Sequence, residues 1–346
     1  MKACVLRGIG DLVYTDVPDP VPSANEVLLK IKASGICGSD MGRVFKKGTY
    51  SFPTIPGHEF AGEIVATGEG ADASLVGRAA AVFPLLPCFA CAMCETGAYA
   101  MCRNYKYFGS RNDGGFAEYV AVPVWNLVFC DGLSFEELAL AEPAAVSVHA
   151  LGRAGVPLSG SVAIFGAGAI GLMLAAYAAA AGTKTVILLD IDDNKLLFAK
   201  RHGYGHVINN AADGWLDKVM ELTGGMGTDV AIEGAGVSAA AEGCFRCAKP
   251  SGDVVLMGNP DGDMHIQQDA YWEILRKQLT VHGTWNSDYT SGKNDWRAAL
   301  DMVQSKKVNL KPIITHKFPL SECAAAFDLL KDKSKSSCRV MFINEY

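Results

Sequence analysis

The sequence predicts a two-domain α/β protein, in which a barrel-like antiparallel β domain is followed by a doubly wound parallel sheet. Three observations support this fold class. A chain of 346 residues is too long for one hydrophobic core of ordinary size. Prolines divide the first part of the chain into short segments, and apolar strands alternate with helices after residue 160. We therefore expect two domains of different architecture.

The first domain is predicted to contain short β-strands. Residues 27–32 alternate partly between apolar and polar side chains, and residues 63–66 follow a glycine. Seven prolines between positions 18 and 87 separate such segments, and proline is a strong turn signal. This pattern is typical of an antiparallel, barrel-like fold.

The second domain is predicted to contain six parallel strands joined by helices. The expected strands are residues 162–165, 185–190, 207–208, 230–232, 254–257 and 279–282, with helices at 194–202, 215–222 and 239–248. The strand at 279–282 is expected at the edge of the sheet, where it is a candidate surface for pairing with a second copy. Helices at 296–304 and 320–330 follow, and an apolar strand at 338–343 is expected to return to the first domain.

A glycine-rich turn at residues 166–171, G-A-G-A-I-G, matches G-x-G-x-x-G between a predicted strand and a helix. Such glycines allow a tight turn, and the helix N-terminus offers amide hydrogens to a pyrophosphate. Glycines of this kind can also serve packing alone, but Asp190 ends the next strand, where a carboxylate accepts from ribose hydroxyls and repels a 2′-phosphate. We therefore predict an NAD site, with binding residues Gly166, Ala167, Gly168, Ile170, Asp190 and Gly234.

Four cysteines, Cys88, Cys91, Cys94 and Cys102, have the spacing C-x2-C-x2-C-x7-C. A disulfide pair, an iron–sulfur site and a zinc site are the alternatives. Thiols stay reduced in the cytosol, and the fourth cysteine comes too late for the bacterial ferredoxin pattern, with Arg103 in place of its proline. We therefore predict a structural zinc ion closed by four thiolates.

Charge and hydropathy exclude several classes of partner. The net charge of −6 argues against a nucleic acid, which requires basic patches. The N-terminal segment lacks the apolar stretch of a signal peptide, and the longest apolar run, residues 172–181, is too short to cross a bilayer. We expect a cytoplasmic protein that acts on a small molecule, without a nucleic-acid or membrane partner.

A second set of metal-binding residue types is dispersed along the chain. A thiolate, an imidazole and a carboxylate can together hold a catalytic zinc ion with an open fourth position. Cys37, His58, Glu59 and Glu142 provide these groups. Spacing alone does not join them, because a lone buried cysteine and a glutamate at a helix start are common without a metal.

Taken in order, these motifs resemble the zinc-dependent medium-chain dehydrogenase/reductase family. They are C-G-S-D from Cys37, G-H-E from Gly57, the four-cysteine segment, D-G-G-F-A-E-Y from Asp113, Glu142-Pro143, and residues 166–171 with Asp190. The resemblance implies a GroES-like β-barrel catalytic domain, formed by residues 1–152 and 285–346, and a Rossmann NAD-binding domain at residues 153–284. It also implies a homodimer or homotetramer with two zinc ions per subunit.

The resemblance also implies roles for individual residues. Cys37, His58 and Glu142 would hold the catalytic zinc, with Glu59 as an exchanging ligand or a neighbour of the ligands, and Ser39 would receive the substrate hydroxyl proton. Glu142 in place of a cysteine is the pattern of the polyol dehydrogenase branch. Gly42 stands where the family often has a histidine of the proton relay, so water or the cofactor ribose is expected to replace that histidine.

Three segments, residues 84–91, 108–119 and 274–285, are similar to polyol-phosphate dehydrogenases within the family. This similarity implies hydride transfer from a secondary hydroxyl of a phosphorylated hexitol, such as galactitol 1-phosphate, to NAD⁺, giving a ketose phosphate. Arg43, Lys46 and Lys47 could form a basic phosphate clamp, or could be solvated charges on a helix face. Arg111 is a further candidate substrate residue.

Two other functions stay open. The chain could oxidise an unphosphorylated polyol or secondary alcohol of the sorbitol, threonine or butanediol type. It could also be a non-catalytic redox sensor that binds zinc and NAD. The intact set of Cys37, His58 and Glu142 disfavours the sensor.

Overall fold

The structure, a computed structural model, describes residues 1–156, 158–332 and 334–344. Within this part of the chain the strands, in order, are β1 (Lys2–Gly8), β2 (Asp11–Asp16), β3 (Glu26–Gly35), β4 (Glu59–Thr67), β5 (Ala79–Val82), β6 (Leu85–Leu86), β7 (Lys106–Tyr107), β8 (Tyr119–Pro123), β9 (Leu127–Val128), β10 (Ser161–Phe165), β11 (Thr185–Asp190), β12 (His206–Asn209), β13 (Thr228–Glu233), β14 (Ala248–Leu256), β15 (Thr280–Gly283), β16 (Ile314–Phe318) and β17 (Arg339–Ile343).

The helices, in the same order, are α1 (Gly38–Gly42), α2 (Ala92–Glu95), α3 (Phe135–Ala139), α4 (Ala141–Ala154), α5 (Ala169–Ala180), α6 (Asp193–Arg201), α7 (Trp215–Leu222), α8 (Ser238–Cys247), α9 (Gln268–Arg276), α10 (Asp295–Gln304) and α11 (Cys323–Lys331). A π-helical turn, Arg43–Lys47, directly continues α1. Among the described residues, no helix has the length and apolar character that crossing a bilayer requires.

The chain forms two compact units. Unit 1 contains residues 1–143, 288–306 and the chain from Leu310 onward, and unit 2 contains residues 144–287 and 307–309. The division after Pro143 lies within helix α4, nine residues before the boundary expected at residue 152. A continuous helix carries no glycine- or proline-rich linker, so the sequence gives no local signal for this division.

Unit 1 is built on a seven-stranded sheet with the order β16-β17-β3-β4-β5-β9, in which β8 also pairs with β3. Most neighbours are antiparallel, and the side chains of β3 alternate between buried and partly exposed positions. The closing strand β17 pairs antiparallel with β3, which confirms that it returns to the first part of the chain. Phe116 and Phe342 are buried and pack edge to face, with ring centroids 5.0 Å apart.

Unit 2 is a parallel sheet with the order β12-β11-β10-β13-β14-β15. The prediction of six parallel strands is confirmed, and β15 lies at the edge as expected. Strands β11 and β12 lie on one side of β10, and β13, β14 and β15 lie on the other. The strand order therefore reverses between β10 and β13, and doubly wound sheets bind ligands at such a point. Helix α9 was not predicted, because its apolar residues Tyr271, Trp272 and Leu275 are exposed and do not form one buried face.

Candidate active site

The side chains of Cys37, His58 and Glu59 meet at one end of strands β3 and β4. Their ligand atoms all lie within 4.8 Å of one another. Cys37 follows the end of β3 by two residues, and Gly35 of β3 pairs with Glu59 of β4. A Cβ atom at residue 35 would lie 2.5 Å from Glu59 Oε2, so a glycine is required for the carboxylate to occupy this position. The strand register thus joins residues that the sequence separates.

A buried ion pair holds the Glu59 carboxylate. Arg339 Nη1 lies 2.7 Å from Glu59 Oε2 and 3.0 Å from Oε1, and it also donates to the Ile36 carbonyl oxygen at 3.0 Å. Glu59 is fully buried and Arg339 is 4% exposed. Arg339 is not among the predicted site residues. The available signal was an arginine within an otherwise apolar strand, R-V-M-F-I, because a charge is rarely buried without a partner.

The Asp40 carboxylate, which is fully buried, orients His58. His58 Nδ1 lies 3.4 Å from Asp40 Oδ1, and Asp40 Oδ2 accepts from the Cys37 backbone N–H at 3.0 Å. Burial opposes a charge on the imidazole, but the Asp40 carboxylate and the Cys37 thiol outweigh it and raise the pKa of His58 well above its usual value. With Nδ1 facing Asp40, the remaining ring nitrogen is the one available as a ligand.

Glu142 lies at the same site, but outside the group that comes within 4.8 Å. Its Oε1 atom accepts from the Tyr107 hydroxyl at 3.3 Å. Burial raises the pKa of Glu142 to about 7, although the charge of His58 opposes this effect. Burial and the negative charge of Glu142 also raise the pKa of Tyr107 well above its usual value, so Tyr107 stays a hydrogen-bond donor. Tyr107, like Arg339, is not among the predicted site residues.

The four sulfur atoms of the cysteine segment form a compact cluster. Sγ–Sγ distances are 3.6 Å for Cys91 and Cys94, 3.9 Å for Cys91 and Cys102, and 4.0 Å for Cys88 and Cys94. A disulfide bond would require about 2.05 Å, whereas a tetrahedron with Zn–S bonds of 2.3 Å has edges of about 3.8 Å. The donor set therefore fits a closed zinc site and excludes the disulfide alternative.

The thiols of the cluster differ in pKa, since burial and the neighbouring thiols of Cys102 and Cys91 raise the pKa of Cys94 to about 12. The backbone N–H groups of Arg103 and Cys94 lower the pKa of Cys91 to about 6. A thiolate is the form of cysteine that binds metal ions. Cys102 also accepts a hydrogen bond from the Cys88 backbone N–H at 3.3 Å. These amide donors stabilise negative charge on the sulfur atoms of Cys91 and Cys102.

Aromatic side chains hold this segment against the rest of unit 1. The Trp125 ring lies edge to face with Phe89 at 4.9 Å, Tyr99 at 5.3 Å and Tyr289 at 5.2 Å between centroids. Phe83 stacks on Tyr289 at 4.4 Å. Phe89 and Tyr99 belong to the cysteine segment, so these contacts fix its position independently of the sulfur cluster.

The carboxyl ends of β10, β11 and β13 lie side by side in unit 2 and carry the glycine-rich turn and Asp190. Gly166 has a φ of +110°, and a Cβ atom at Gly171 would lie 1.8 Å from the Gly166 carbonyl oxygen, so both positions need glycine. Gly234 donates to the Phe165 carbonyl oxygen at 2.9 Å, which draws β13 towards β10 at the point where the strand order reverses. The residues predicted to bind a dinucleotide thus lie together at this edge of the sheet.

The Asp190 carboxylate is buried and lies against the same turn. Its Oδ2 atom accepts from the Ala167 backbone N–H at 2.8 Å, and Oδ1 accepts from that of Asp192 at 3.0 Å. A carboxylate oxygen can accept a second hydrogen bond, so both atoms keep capacity for ribose hydroxyls. Lys195 Nζ lies 3.6 Å from Oδ2 and is largely exposed.

Two family profiles match the chain. The alcohol dehydrogenase GroES-like domain covers residues 23–131, and the zinc-binding dehydrogenase domain covers residues 169–305. Galactitol 1-phosphate 5-dehydrogenase of Escherichia coli K12 is 36% identical over 322 residues, which is 92% of this chain and 92% of that protein. The chain belongs to the zinc-dependent medium-chain dehydrogenases. L-threonine 3-dehydrogenase of Pyrococcus abyssi is 37% identical over 335 residues, covering 93% and 92% of the two chains.

Solved structures of dehydrogenases share this fold. The crystal structure of galactitol-1-phosphate dehydrogenase from Escherichia coli has a TM-score of 0.92 and 34% identity, covering 99% of this chain and 100% of that one. An alcohol dehydrogenase from Escherichia coli CFT073 in complex with NADH has a TM-score of 0.90 and 28% identity, covering 99% of each chain. Zinc and a nicotinamide dinucleotide are therefore the cofactors, as predicted, and the protein is an oxidoreductase of CH–OH donors.

The three predicted substrate residues have different environments. Arg43 lies within the site, 2.8 Å from both Asp40 Oδ1 and Ser39 Oγ. Lys46 is exposed on the π-helical turn. Arg111 lies between the rings of Tyr50 and Tyr105, with its guanidinium carbon 4.0 and 4.3 Å from the two centroids.

Proposed function

We propose that this protein is a zinc-dependent dehydrogenase that oxidises a secondary hydroxyl of a phosphorylated polyol with NAD⁺, giving a ketose phosphate. The observation that carries the catalytic part is the convergence of the partly buried Cys37 with the buried His58 and Glu59. Galactitol 1-phosphate is the substrate favoured by the similarity to the Escherichia coli enzyme. We further propose that the protein is cytoplasmic and that it binds neither a nucleic acid nor a membrane.

We assign the catalytic zinc ion to Cys37 and His58. The carboxylates of Glu59 and Glu142 would complete the set of ligands, either together or by exchanging with each other. One thiolate, one imidazole and carboxylate oxygens are a donor set that zinc accepts, and three protein ligands leave a position for substrate. A zinc ion held there supplies Lewis-acid polarisation of the substrate hydroxyl. Arg339 and Tyr107 hold the two carboxylates in place through the contacts described above.

The remaining residues move the proton and bind the dinucleotide. Ser39 follows Cys37 by two residues, and its hydroxyl is proposed to accept the substrate proton. NAD⁺ supplies the hydride acceptor, and its pyrophosphate is assigned to the turn of Gly166, Ala167, Gly168 and Ile170, with Gly234 beside it. Asp190 is assigned to the adenosine ribose, which favours NAD over NADP. Cys88, Cys91, Cys94 and Cys102 are assigned to the structural zinc.

Arg111 is the best supported of the basic residues for the substrate phosphate. Its Nη1 atom donates to the Tyr105 carbonyl oxygen at 3.3 Å, whereas its buried Nε atom has no hydrogen-bond partner among the described residues. A buried donor without a partner is costly unless a ligand satisfies it. Tyr105 packs edge to face on Tyr107 at 6.3 Å, which links Arg111 to the residue that holds Glu142.

The phosphate requirement can be tested by measuring NADH formation from galactitol 1-phosphate and from galactitol. For Arg111→Leu, we expect the KM for the phosphorylated alcohol to rise about 10- to 100-fold, the effect of losing a hydrogen bond to a charged group. The KM for galactitol should not change. Arg78→Leu is a matched control, because Arg78 also stacks on an aromatic ring, that of Phe129, at 3.9 Å.

Three results would contradict the proposal or one of its parts. Equal KM values of the natural protein for the two alcohols would favour the unphosphorylated alternative, which the 37% identity to an L-threonine 3-dehydrogenase supports. No NADH from a panel of alditols, alditol phosphates, threonine and butanediol would favour the non-catalytic redox sensor. A rigorously metal-free protein with full activity would contradict the zinc assignment.

We also propose a homo-oligomer that pairs through the edge of the unit 2 sheet. Strand β15 ends the sheet order, so its outer backbone groups have no strand partner among the described residues. Leu275, Val281 and Trp285 lie on or beside it and are 50%, 40% and 55% exposed. An apolar patch next to an open sheet edge favours pairing with a second copy.

A further inference from the structure

The guanidinium of Arg43 contacts three polar side chains of the site through one nitrogen atom. Arg43 Nη1 lies 2.8 Å from Ser39 Oγ, 2.8 Å from Asp40 Oδ1 and 3.4 Å from His58 Nδ1. This nitrogen carries two hydrogens. The two contacts at 2.8 Å are the shorter ones, and His58 Nδ1 lies equally far, 3.4 Å, from Arg43 Nη1 and from Asp40 Oδ1.

Local backbone geometry places Arg43 in this position. Ser39 and Asp40 precede it by four and three residues, on helix α1 and the π-helical turn that continues it. Residues three and four apart lie on the same face of a helix. The arginine therefore reaches both side chains without a rearrangement of the chain, whereas the exposed Lys46 continues along the turn.

The charge of Arg43 is already used inside the site. Asp40 is fully buried, and the side chain of Arg43 is 21% exposed. A buried carboxylate is costly unless a cation and hydrogen bonds compensate it. An arginine that compensates Asp40 is a poor second partner for a substrate phosphate, so its place in the site requires a different explanation.

We propose that Arg43 is a positioning residue of the reaction, which fixes the Ser39 hydroxyl and the Asp40 carboxylate relative to each other. Through Asp40 it sets the orientation of His58, and through Ser39 it sets the direction of the hydroxyl that takes the substrate proton. Because Ser39 Oγ accepts from Arg43, its own hydrogen is left to donate elsewhere. This inference rests on the roles proposed above for Ser39 and His58, but not on the identity of the alcohol.

Arg43 thus gives the Ser39 hydroxyl a fixed hydrogen-bond partner. Gly42, at the position where the family often has a relay histidine, has no side chain that could take a proton from Ser39. The guanidinium of Arg43 is always protonated and has no site that could accept a further proton. Arg43 therefore cannot itself continue a proton relay. The proton leaving Ser39 must therefore pass to water or to a bound ligand. Arg43 provides the geometry and the favourable charge for that transfer.

The test compares Arg43→Ala and Arg43→Lys with the natural protein, using Arg7→Ala, which removes an exposed arginine of β1, as the control. The kinetic constants are measured on galactitol 1-phosphate and on whichever unphosphorylated alcohol is oxidised. For Arg43→Ala we expect kcat to fall about 10- to 100-fold on both alcohols, less than the full effect of a general acid–base group. KM for NAD⁺ and the zinc content should stay unchanged.

Added guanidinium, at concentrations far below those that unfold proteins, provides the decisive readout. It should restore several-fold activity to Arg43→Ala and none to the control. The Arg43→Lys variant keeps a cation beside Asp40, and we expect an intermediate kcat. If Arg43→Ala does not fold, Arg43→Lys still allows the comparison with the natural protein.

Three results would overturn the inference. A rise in KM for the phosphorylated alcohol alone, with kcat unchanged, would make Arg43 a phosphate clamp. A loss of zinc and activity that guanidinium does not reverse would make its role purely structural. The visible absorption of the cobalt-substituted protein should shift in Arg43→Ala and return with guanidinium, and an unchanged spectrum would show that Arg43 does not affect His58. This last measurement needs no turnover, so it separates the inference from a failure of the proposed function.

Discussion

At the scale of single residues, the site depends on charges that are buried in opposite pairs. Glu59 faces Arg339, and Asp40 faces Arg43. Removing both members of such a pair often costs little, whereas removing one leaves a buried charge uncompensated. The pairs therefore restrict which substitutions the site tolerates, even where the residue does not touch a metal or a substrate.

Substitution of Arg339 tests this argument. We expect Arg339→Met to lower the free energy of unfolding by about 3–5 kcal/mol, because it leaves the Glu59 carboxylate buried without its cation. The double variant Glu59→Gln with Arg339→Met should recover most of this loss. Urea unfolding of the zinc-loaded protein gives the measurement, with Arg7→Met as the control. A single variant as stable as the natural protein would show that the carboxylate is neutralised in another way.

The sequence identifies site residues that lie in recognisable motifs. Cys37, His58 and Glu59 stand in short motifs, and the resemblance joined them into one set. Arg339 is separated from Glu59 by 280 positions, and nothing near it along the chain indicates its partner. Tyr107 was missed for the same reason, because its hydroxyl matters only once Glu142 lies beside it.

At the scale of elements, a carboxylate at the start of β13 joins it to β10. Asp229 Oδ2 accepts from the Ser161 backbone N–H at 2.7 Å and from its hydroxyl at 2.8 Å, and Asp229 Oδ1 pairs with Lys249. Burial raises the pKa of Asp229, but Lys249 and Ser161 outweigh this and lower it below its usual value. The two strands are the neighbours that flank the point where the strand order reverses.

This contact predicts a dependence of stability on pH. Because the pKa of Asp229 is lower in the folded state, its stabilisation is complete above the usual carboxyl pKa and is lost as the pH falls below about 4. Asp229→Asn should therefore lower the urea midpoint at pH 7 more than at pH 3. The exposed Asp213 gives the control variant Asp213→Asn. A midpoint difference that is the same at both pH values would contradict the expectation.

Buried parallel strands are the elements that the sequence predicts best. Residues 162–165 and 230–232 are continuous apolar runs, and both lie in strands of the unit 2 sheet. The start of β4 was not predicted, because its first residue is the charged Glu59. Helix α9 was missed since exposed aromatic residues do not follow a helical period of burial. Both failures concern elements whose side chains serve a site or a surface.

At the scale of the whole molecule, the fold class followed from composition and alternation, but the assembly of unit 1 did not. Strand β17 enters the sheet beside β3, a pairing between opposite parts of the chain. Periodicity predicts the existence of a strand and not its neighbour, so the return of residues 338–343 to the first domain was an expectation that the resemblance strengthened, and their pairing with β3 was not predicted. For the same reason, periodicity does not predict which strands pair between copies in an oligomer.

The open edge of β15 predicts how copies associate. Val281→Asp places a charge on the exposed side of this strand and should convert the proposed oligomer into smaller species. Light scattering coupled to size-exclusion chromatography gives the mass. The control is Val21→Asp, because Val21 is 82% exposed and lies in unit 1. An unchanged mass in Val281→Asp would mean that copies associate through another surface or not at all.

The distance along the chain between Glu59 and Arg339 has a consequence for biosynthesis. Ribosomes add about 5–20 residues per second, so the arginine emerges roughly 15 to 55 s after the glutamate it neutralises. All of residues 144–287, the main part of unit 2, are translated in this interval. Unit 2 can therefore fold during translation, whereas the Cys37, His58 and Glu59 group stays incomplete until translation has passed residue 339. The Glu59 carboxylate therefore gains its buried cation only after nearly all of unit 2 has been translated.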